Sequence, residues 1–147
     1  MVRPTRTPIG LQLFTASKSV RRAFDRALSE ADGSIPMWLV LTKLKAAAWP
    51  SQNDLAAAVG IEGPTLTRHV DALERQGLVR RRQDPDDRRA VVVELTDAGH
   101  AAHARLLEVV IAFDRRLRSG ISQEEVDTLR ELLGKLEENV TVAQERG

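Results

Sequence analysis

Residues 51–81 constrain the fold more than any other part of the chain, because their pattern is typical of two short helices joined by a tight turn. Ser51 suits a helix N-cap, with an aspartate three residues later as in a capping box. The apolar stripe that follows stops at Gly60, as at a helix end. Gly63 and Pro64 suit the N-cap and first turn of a second helix, where the missing N–H of proline costs nothing. The stretch therefore predicts a helix-turn-helix.

The second helix has an inner and an outer face. At about 100° per residue, Leu66, Val70 and Leu73 cluster on one side as a core face. The outer face and its flanks hold the residues expected to contact DNA, which are Pro64, Thr65, Thr67, Arg68 and Arg75. Because the N-terminal part of such a helix enters the major groove, we expect its threonines and Arg68 at base edges and Arg75 at phosphate. The alternative is a packed helix pair with a solvated polar face.

A β-hairpin is predicted directly after this helix. Residues 78–83 have the pattern of a strand, residues 84–87 that of a turn, and residues 90–95 that of a β-branched second strand. A hairpin in this position is a wing. Its basic residues are Arg80, Arg81, Arg82, Arg88 and Arg89. We expect them to lie along a DNA backbone and to place one guanidinium in a minor groove.

Three aspartates in the wing, Asp84, Asp86 and Asp87, would repel phosphate. We expect them to form the turn and to pair with the wing arginines, which would fix the guanidinium geometry.

Several runs of residues match a known family pattern. The helix-turn-helix carries the run Gln52-x-x-Leu55-Ala56-x-x-x-Gly60-Ile61-Glu62-x-Pro64-Thr65-Leu66-x-Arg68. After it come Leu73-Glu74-x-x-Gly77-Leu78-Val79-x-Arg81, then Asp84-Pro85-x-Asp87-Arg88-Arg89, and then Leu95-Thr96-x-x-Gly99. Together these runs closely resemble the MarR/SlyA family of winged-helix transcriptional regulators, and the resemblance covers nearly the whole chain.

The resemblance implies a mainly α fold with a small β-hairpin wing, in which long dimerisation helices flank a winged helix-turn-helix. Members are homodimers that bind palindromic promoter DNA, often releasing it when a small aromatic or phenolic acid binds. By the resemblance, Arg68 matches the recognition-helix arginine and Arg89 the wing arginine of the D-x-R motif. The chain has no cysteine, so the thiol-oxidation switch of one branch of the family is excluded.

The length of the chain suits one domain, residues 1–147. Within it we predict a winged helix-turn-helix lobe at 35–96 and a helical dimerisation region at 8–31 and 97–142. The sequence has no run of about 18 apolar residues, so we expect no transmembrane helix. No hydrophobic segment of the kind found in a signal peptide follows the basic arm Met1–Thr7. We therefore expect a cytoplasmic protein without a membrane partner.

The net charge is only +1, but its distribution is uneven. Residues 1–30 hold six basic and two acidic side chains, a charge of +4, whereas residues 122–147 hold three basic and seven acidic ones, a charge of −4. We expect the acidic end to face away from DNA.

Long helices are predicted at both ends of the chain. The first runs from Ile9 to about Ala31, another from the cap Thr96 to about Arg118, and the last follows a capping box at Ser122. In the last helix a coiled-coil-like 3-4 repeat is formed by Val126, Leu129, Leu133, Leu136 and Val140. These helices hold more apolar surface than a small winged domain can cover, which favours a homodimer. The alternative is a bundle within one chain.

Two residues suit a ligand site where the dimerisation helices meet the DNA-binding lobe. An aromatic acid would pack its ring on Trp38 and place its carboxylate against Arg21. The alternative is that Trp38 belongs to the core and Arg21 to a surface ion pair.

No other chemistry stands out. His100 and His103 lie three residues apart on a helix, but two histidines without a cysteine or an evident third ligand do not predict a metal site. There is no glycine-rich phosphate loop, nucleophile elbow or catalytic constellation, so we expect neither an enzyme nor a cofactor.

The sequence therefore predicts a sequence-specific DNA-binding regulator, a repressor that binds a palindromic operator in double-stranded DNA as a homodimer and responds to a small aromatic acid. Two alternatives remain. One is an architectural nucleoid-type protein without ligand control, and the other is a winged-helix module that binds another protein.

Overall fold

A computed structural model describes residues 6–145 of the chain, with side chains through residue 141. The elements are α1 (Ile9–Ser29), α2 (Ile35–Ala46), α3 (Gln52–Val59), α4 (Gly63–Arg75), β1 (Val79–Gln83), β2 (Val91–Leu95), α5 (Asp97–Leu117) and α6 (Gln123–Glu145). They fall into two compact units, Met1–Ile111 and Ala112–Gly147. Most of the basic arm expected at Met1–Thr7 lies outside the described residues.

Short polar caps set where most helices begin. The side-chain oxygen atoms of Ser51 and Thr96 accept hydrogen bonds from the backbone N–H groups of Asp54 and Gly99, three residues later, each at 3.1 Å. Ser122 forms the reciprocal box, because its own N–H donates to the Glu125 carboxylate. These caps are confirmed. α4 differs slightly from the prediction, since it already includes Gly63 and its N-cap is Glu62, which makes no side-chain cap bond.

The core of the first unit lies beneath the helix-turn-helix. The predicted inner face of α4, Leu66, Val70 and Leu73, is buried. Fully buried residues from the surrounding helices complete this core, and they are Leu28, Val40, Leu41, Leu55 and Leu106. Gly60 adopts a left-handed φ of 82° that glycine tolerates without strain, and it closes the turn between α3 and α4. The predicted helix-turn-helix is thus present and its outer face is fixed by core packing.

The wing, residues 79–95, is an antiparallel hairpin of β1 and β2 with Val79 opposite Leu95 and Arg81 opposite Val93. Both strands are one residue shorter at their first position than predicted. Because side chains alternate along a strand, Arg81 shares the face of the buried Val79, while Arg80 and Arg82 share the other.

Close packing holds the start of α5 against the wing. Thr96 donates its N–H to the Leu78 carbonyl at 3.1 Å and its hydroxyl to the Gly77 carbonyl at 2.6 Å. A Cβ at Gly99 would lie 2.0 Å from the same Leu78 oxygen, far inside contact distance. Only a glycine lets α5 approach this closely.

The second unit contains the C-terminal end of α5 and all of α6. Arg118 joins them locally, with Nη1 3.3 Å from Asp114 and Nη2 donating to Gln123. Of the predicted apolar repeat in α6, Val126 is buried, whereas Leu129 and Val140 are exposed. Among residues 6–145, no helix has both the length and the apolar character that a membrane crossing requires.

Candidate nucleic-acid interface

The outer face of α4 presents the residues predicted to meet DNA. Pro64, Thr67, Arg68 and Arg75 are exposed, and Thr65 is half-buried. Among the described residues, neither arginine lies within ion-pair distance of a carboxylate, so both guanidinium groups are available to an external anion.

Thr67 is partly engaged within its own helix. Its hydroxyl donates to the Gly63 carbonyl at 3.0 Å, the usual i−4 bond of a helical threonine. The hydroxyl oxygen and the methyl group remain exposed. While this bond is kept, Thr67 can accept a hydrogen bond from a base amino group or pack on a thymine methyl, but it cannot donate.

The wing tip, residues 84–90, is shaped by its aspartates in an unexpected way. The Asp84 carboxylate accepts the N–H of Asp86 at 2.9 Å, and the Asp87 carboxylate accepts the N–H of Arg89 at 3.0 Å. They are therefore turn formers, as predicted, but the predicted pairing with wing arginines is wrong for the described residues. A backbone N–H two residues away is a closer and better-ordered partner for a short carboxylate than a long flexible arginine.

The two tip arginines, Arg88 and Arg89, are exposed. Their side chains have no carboxylate partner in the described part of the chain, and Gln83 steadies the loop by donating to the Arg88 carbonyl at 2.6 Å. The tip therefore offers two guanidinium groups without a direct ion-pair partner among the described residues, on a hydrogen-bonded loop.

Arg80 and Arg82, in the middle of β1, share one carboxylate. Their Nε atoms lie 2.7 and 3.3 Å from Oε1 of Glu94 on β2. The hydrogen bond from Arg80, aided by the charges of both arginines, lowers the pKa of Glu94 although partial burial opposes the shift. Glu94 thus stays ionised and reduces the positive charge of the strand.

Arg81, expected with the other wing arginines to lie along a DNA backbone, is partly buried against α4. Its Nη1 lies 3.0 Å from Glu74 and its Nη2 2.6 Å from Asp71, both on α4. Nε donates to the Gln52 side chain at 3.3 Å, and Nη2 to the Thr67 carbonyl at 3.4 Å. We call these five residues the Arg81 cluster. Each guanidinium nitrogen of Arg81 therefore already has an acceptor within the protein, unlike those of the tip arginines in the described part of the chain.

Sequence reasoning missed the acidic members of this cluster. Asp71 and Glu74 are three residues apart and therefore neighbours on one side of α4. The alternation of buried Val79 with Arg81 on β1 was a usable signal that this arginine points inward.

The two residues predicted to bind a ligand have different surroundings. Trp38 is half-buried against the core and stacks on His103 of α5, with ring centroids 5.2 Å apart and planes at 16°. Arg21 is exposed on α1. A cavity of about 250 Å³ lies between residues 32–37 and 69–76, and its lining includes neither of them.

His103 is a buried neighbour of Trp38. Burial, together with the nearby charge of Lys45, lowers the pKa of His103. Nζ of Lys45 lies 3.0 Å from Nδ1 of His100, as a donor to that ring nitrogen. Within the described residues, no group of three or more histidine or acidic side chains is placed to hold a metal ion.

Comparison with known proteins agrees with this geometry. The sequence profile of the MarR family matches residues 34–91, which span the helix-turn-helix and most of the wing. A solved structure of the transcriptional regulator PA3341 is 35% identical, covers 91% of this chain and 98% of its own, and superposes with a TM-score of 0.77. The chain belongs to the MarR family.

Two MarR-family relatives have been solved on DNA. The transcriptional repressor CouR, bound to a 23-mer duplex, is 29% identical over 88% of this chain and 92% of its own, with a TM-score of 0.82. A MarR mutant from E. coli in complex with operator DNA is 28% identical over 88% and 93%, with a TM-score of 0.79. The family and the winged-helix fold predicted from the sequence are confirmed, and the chain is a DNA-binding transcriptional regulator rather than an enzyme.

Proposed function

We propose that this MarR-family protein binds a palindromic operator as a homodimer and represses transcription from it. The observation that carries the proposal is the distribution of free cations. Among the described residues of α4 and the wing, the arginines without a carboxylate partner are Arg68, Arg75, Arg88 and Arg89. All four lie on the outer face of α4 or at the wing tip. The structures of CouR on a 23-mer duplex and of a mutant E. coli MarR on operator DNA support DNA as the partner.

The roles follow from the chemistry of each position. Arg68, near the N-terminal half of α4, can bind guanine in bidentate fashion in the major groove, with Thr65 and Thr67 beside it. Arg75, two turns further on, is placed for phosphate. Arg89 suits a narrow minor groove, where the negative potential is strongest, and Arg88 an adjacent phosphate.

Exposed apolar surface at the helical ends supports the homodimer. On α1 it includes Ile9, Leu11 and Phe14, each more than half exposed, although the same helix is fully buried at Leu28. On α6 it includes Leu129, Leu132 and Val140. Apolar patches of this kind mark interfaces, and a two-fold dimer would set two recognition helices about 34 Å apart on a palindrome.

The dimer has a direct test at Leu133, which is half-buried on α6. Leu133→Asp would place a charge in the proposed seam and should lower both dimerisation and operator affinity. A variant that sediments as a monomer yet binds a full palindrome as tightly as the wild type would exclude the dimer as the functional unit.

We further propose that a small aromatic acid controls DNA binding through Trp38 and Arg21. His103 covers one face of the Trp38 ring, so a ligand would pack on the remaining face or displace the histidine. A ligand that prefers one spacing of the recognition helices by ~100-fold would supply about 2.7 kcal/mol of coupling.

The ligand proposal is tested by titrating salicylate-like acids while following Trp38 fluorescence and operator binding. Trp49 would be replaced by phenylalanine to remove its signal, at the cost of its hydrogen bond to the Lys43 carbonyl. A response at millimolar concentration that disappears in Arg21→Ala supports this site. No response, or one that survives Arg21→Ala, excludes it.

The main experiment is selection of bound duplexes from a random pool, followed by anisotropy with selected and scrambled duplexes at two salt concentrations. A palindromic consensus with strong preference over scrambled DNA supports the proposal. Equal binding to both would indicate an architectural nucleoid-type protein, and no binding would indicate a protein-interaction module. Because its ligand is chromosomal DNA, we expect the protein to act in the cytoplasm.

A further inference from the structure

We propose that Arg81 is a positioning residue that locks the wing to the recognition helix and does not itself contact DNA. The inference rests on the proposed operator binding by α4 and the wing tip. It concerns a residue that, by its charge and its place among other wing arginines, would ordinarily be assigned to phosphate.

Arg81 lies on the inward face of β1. Arg81 lies opposite Val93 on β1 and shares the strand face of the buried Val79. Its side chain is only 21% exposed, compared with 67% for the side chain of Arg80 and 49% for that of Arg82. The pleat of the strand therefore sends this one arginine inward while its neighbours point outward.

Glu74 contacts Arg81 at two points. One carboxylate oxygen of Glu74 accepts the backbone N–H of Arg81 at 2.9 Å, and the other accepts Nη1 at 3.0 Å. The same carboxylate thus holds both the strand backbone and the guanidinium of one residue. This arrangement fixes the position of β1 relative to α4 as well as the direction of the side chain.

The remaining contacts link Arg81 to the part of α4 that reads DNA. Nη2 lies 2.6 Å from Asp71 and 3.4 Å from the carbonyl of Thr67, which directly precedes Arg68. Nε reaches Gln52 on α3 at 3.3 Å. One planar group therefore joins the wing, the recognition helix and the first helix of the motif, which requires the fork geometry that arginine has and lysine lacks.

The acidic side chains of the Arg81 cluster outnumber its basic one. One guanidinium beside two carboxylates leaves the Arg81 cluster with a net charge of −1. The guanidinium of Arg81 is already paired directly with carboxylates at 2.6 and 3.0 Å, which leaves it little free positive charge for a phosphate. The cluster is therefore suited to orientation and unsuited to direct contact.

The effect on the wing tip follows from distance along the strand. With a rise of about 3.3 Å per residue, Arg81 lies roughly 10 Å from the start of the tip, so a rotation of about 10° at the cluster would move the tip by roughly 2 Å. A binding group has to be held within about 0.5 Å of its productive position, so a displacement of that size would remove a tip guanidinium from its site in the groove.

The decisive experiment removes the acids and keeps the arginine. Asp71→Asn and Glu74→Gln each make the protein more positive, so simple electrostatics predicts tighter binding to DNA. The positioning role predicts the opposite, with operator affinity about tenfold weaker for Glu74→Gln, because a charged hydrogen-bond pair is broken. Asp86→Asn is the matched control. It also removes one acidic charge from the wing, but the Asp86 carboxylate has no partner among the described residues, so it should bind at least as tightly as the wild type.

Two more measurements separate positioning from general loss of structure. Asp71→Asn and Glu74→Gln should lose the preference for A·T-rich over G·C-rich flanks that we expect from Arg89 in the minor groove. Their thermal unfolding should remain cooperative. Arg81→Lys keeps the charge, yet it should behave as Glu74→Gln does and not as the wild type. In Arg81→Ala, adding Glu74→Gln should change operator affinity by less than about twofold, because the guanidinium pair is already lost and the glutamine amide oxygen can still accept the backbone N–H of residue 81.

The outcomes distinguish this inference from the proposed function. If the wild type binds no selected duplex, the proposed function fails first. If the wild type binds but Glu74→Gln binds as tightly or more tightly with its flank preference intact, the positioning role of Arg81 is overturned. Should Arg81→Ala fail to fold, the two acid-to-amide variants and Arg81→Lys still decide the question.

Discussion

The wing contains two groups of arginines that the structure places in different environments. At its base, Arg80, Arg81 and Arg82 each lie against a carboxylate from β2 or α4. At its tip, Arg88 and Arg89 have no carboxylate partner among the described residues, because the nearby aspartates hold backbone N–H groups instead. Positive charge alone therefore does not assign a residue to DNA, and the partner already present within the protein decides its role.

The largest effect is expected from a substitution that disrupts the packing of α5 against the base of the wing. Gly99→Ala would place a methyl group 2.0 Å from the Leu78 carbonyl oxygen, where the obstacle is backbone and cannot move aside. We expect a loss of about 3 kcal/mol in the free energy of unfolding, at the upper end of overpacking effects. Urea denaturation measures this change. Gly10→Ala is the control, because its added Cβ meets nothing within 4 Å, and a similar loss there would discredit the packing explanation.

The next largest effect should come from the outer face of α4. Arg68→Ala should weaken binding to the preferred operator by about 1–3 kcal/mol and flatten discrimination at one base pair of each half-site. Arg75→Ala should weaken all sequences alike, since phosphate carries no sequence information. Both are measured by anisotropy with a panel of operator variants. An unchanged ranking of the panel in Arg68→Ala would refute base readout by this residue.

A smaller and more selective loss is expected at the tip. Arg89→Ala should cost about 1–2 kcal/mol on operators with A·T-rich flanks, as for one charged hydrogen-bonding group, and less on G·C-rich flanks. The comparison uses one half-site sequence with exchanged flanks. Equal losses on both flanks would place Arg89 on the backbone instead of in the minor groove.

The smallest effect is expected when the carboxylate partner of Arg80 and Arg82 is removed, so that these arginines, like those of the tip, have no ion-pair partner among the described residues. Glu94→Gln would release Arg80 and Arg82, so non-specific DNA binding should strengthen, while stability falls by less than about 1 kcal/mol, as for an exposed ion pair. Because the arginines lower the pKa of Glu94 in the folded state, its contribution to stability is present above its ordinary pKa of 4.5 and is lost as pH falls through the lowered value. The wild type should therefore lose stability over this acidic range more steeply than Glu94→Gln. Parallel pH curves for the two proteins would contradict this.

Short-range patterns gave most of the fold in advance. The caps at Ser51, Thr96 and Ser122 each bond to a residue three positions later, so the residue types in the sequence are enough to locate these helix starts. The buried face of α4 followed from helical periodicity, and the two strands from β-branched residues between turn signals.

The environment of each arginine was harder to predict. The partners of Arg81 lie up to 29 residues away, and their meeting depends on how α3, α4 and β1 pack in three dimensions. The predicted pairing of the tip aspartates with wing arginines was wrong, because a charge pattern does not show whether a carboxylate will bind an arginine or a nearby N–H. Arg68, Arg75, Arg88 and Arg89 remain predicted DNA contacts, as Arg21 and Trp38 remain a predicted ligand site.

The close approach of α5 to the wing at Gly99 also bears on how such a regulator diversifies. Any side chain at this position would collide with the backbone, so we expect the path from the wing to α5 to tolerate little change. The loop at residues 84–90 is mostly exposed and is held by hydrogen bonds within the wing. We expect duplicated copies of the gene to acquire new target sites through substitutions or length changes in this loop, while the base preserves a common docking geometry across the descendants.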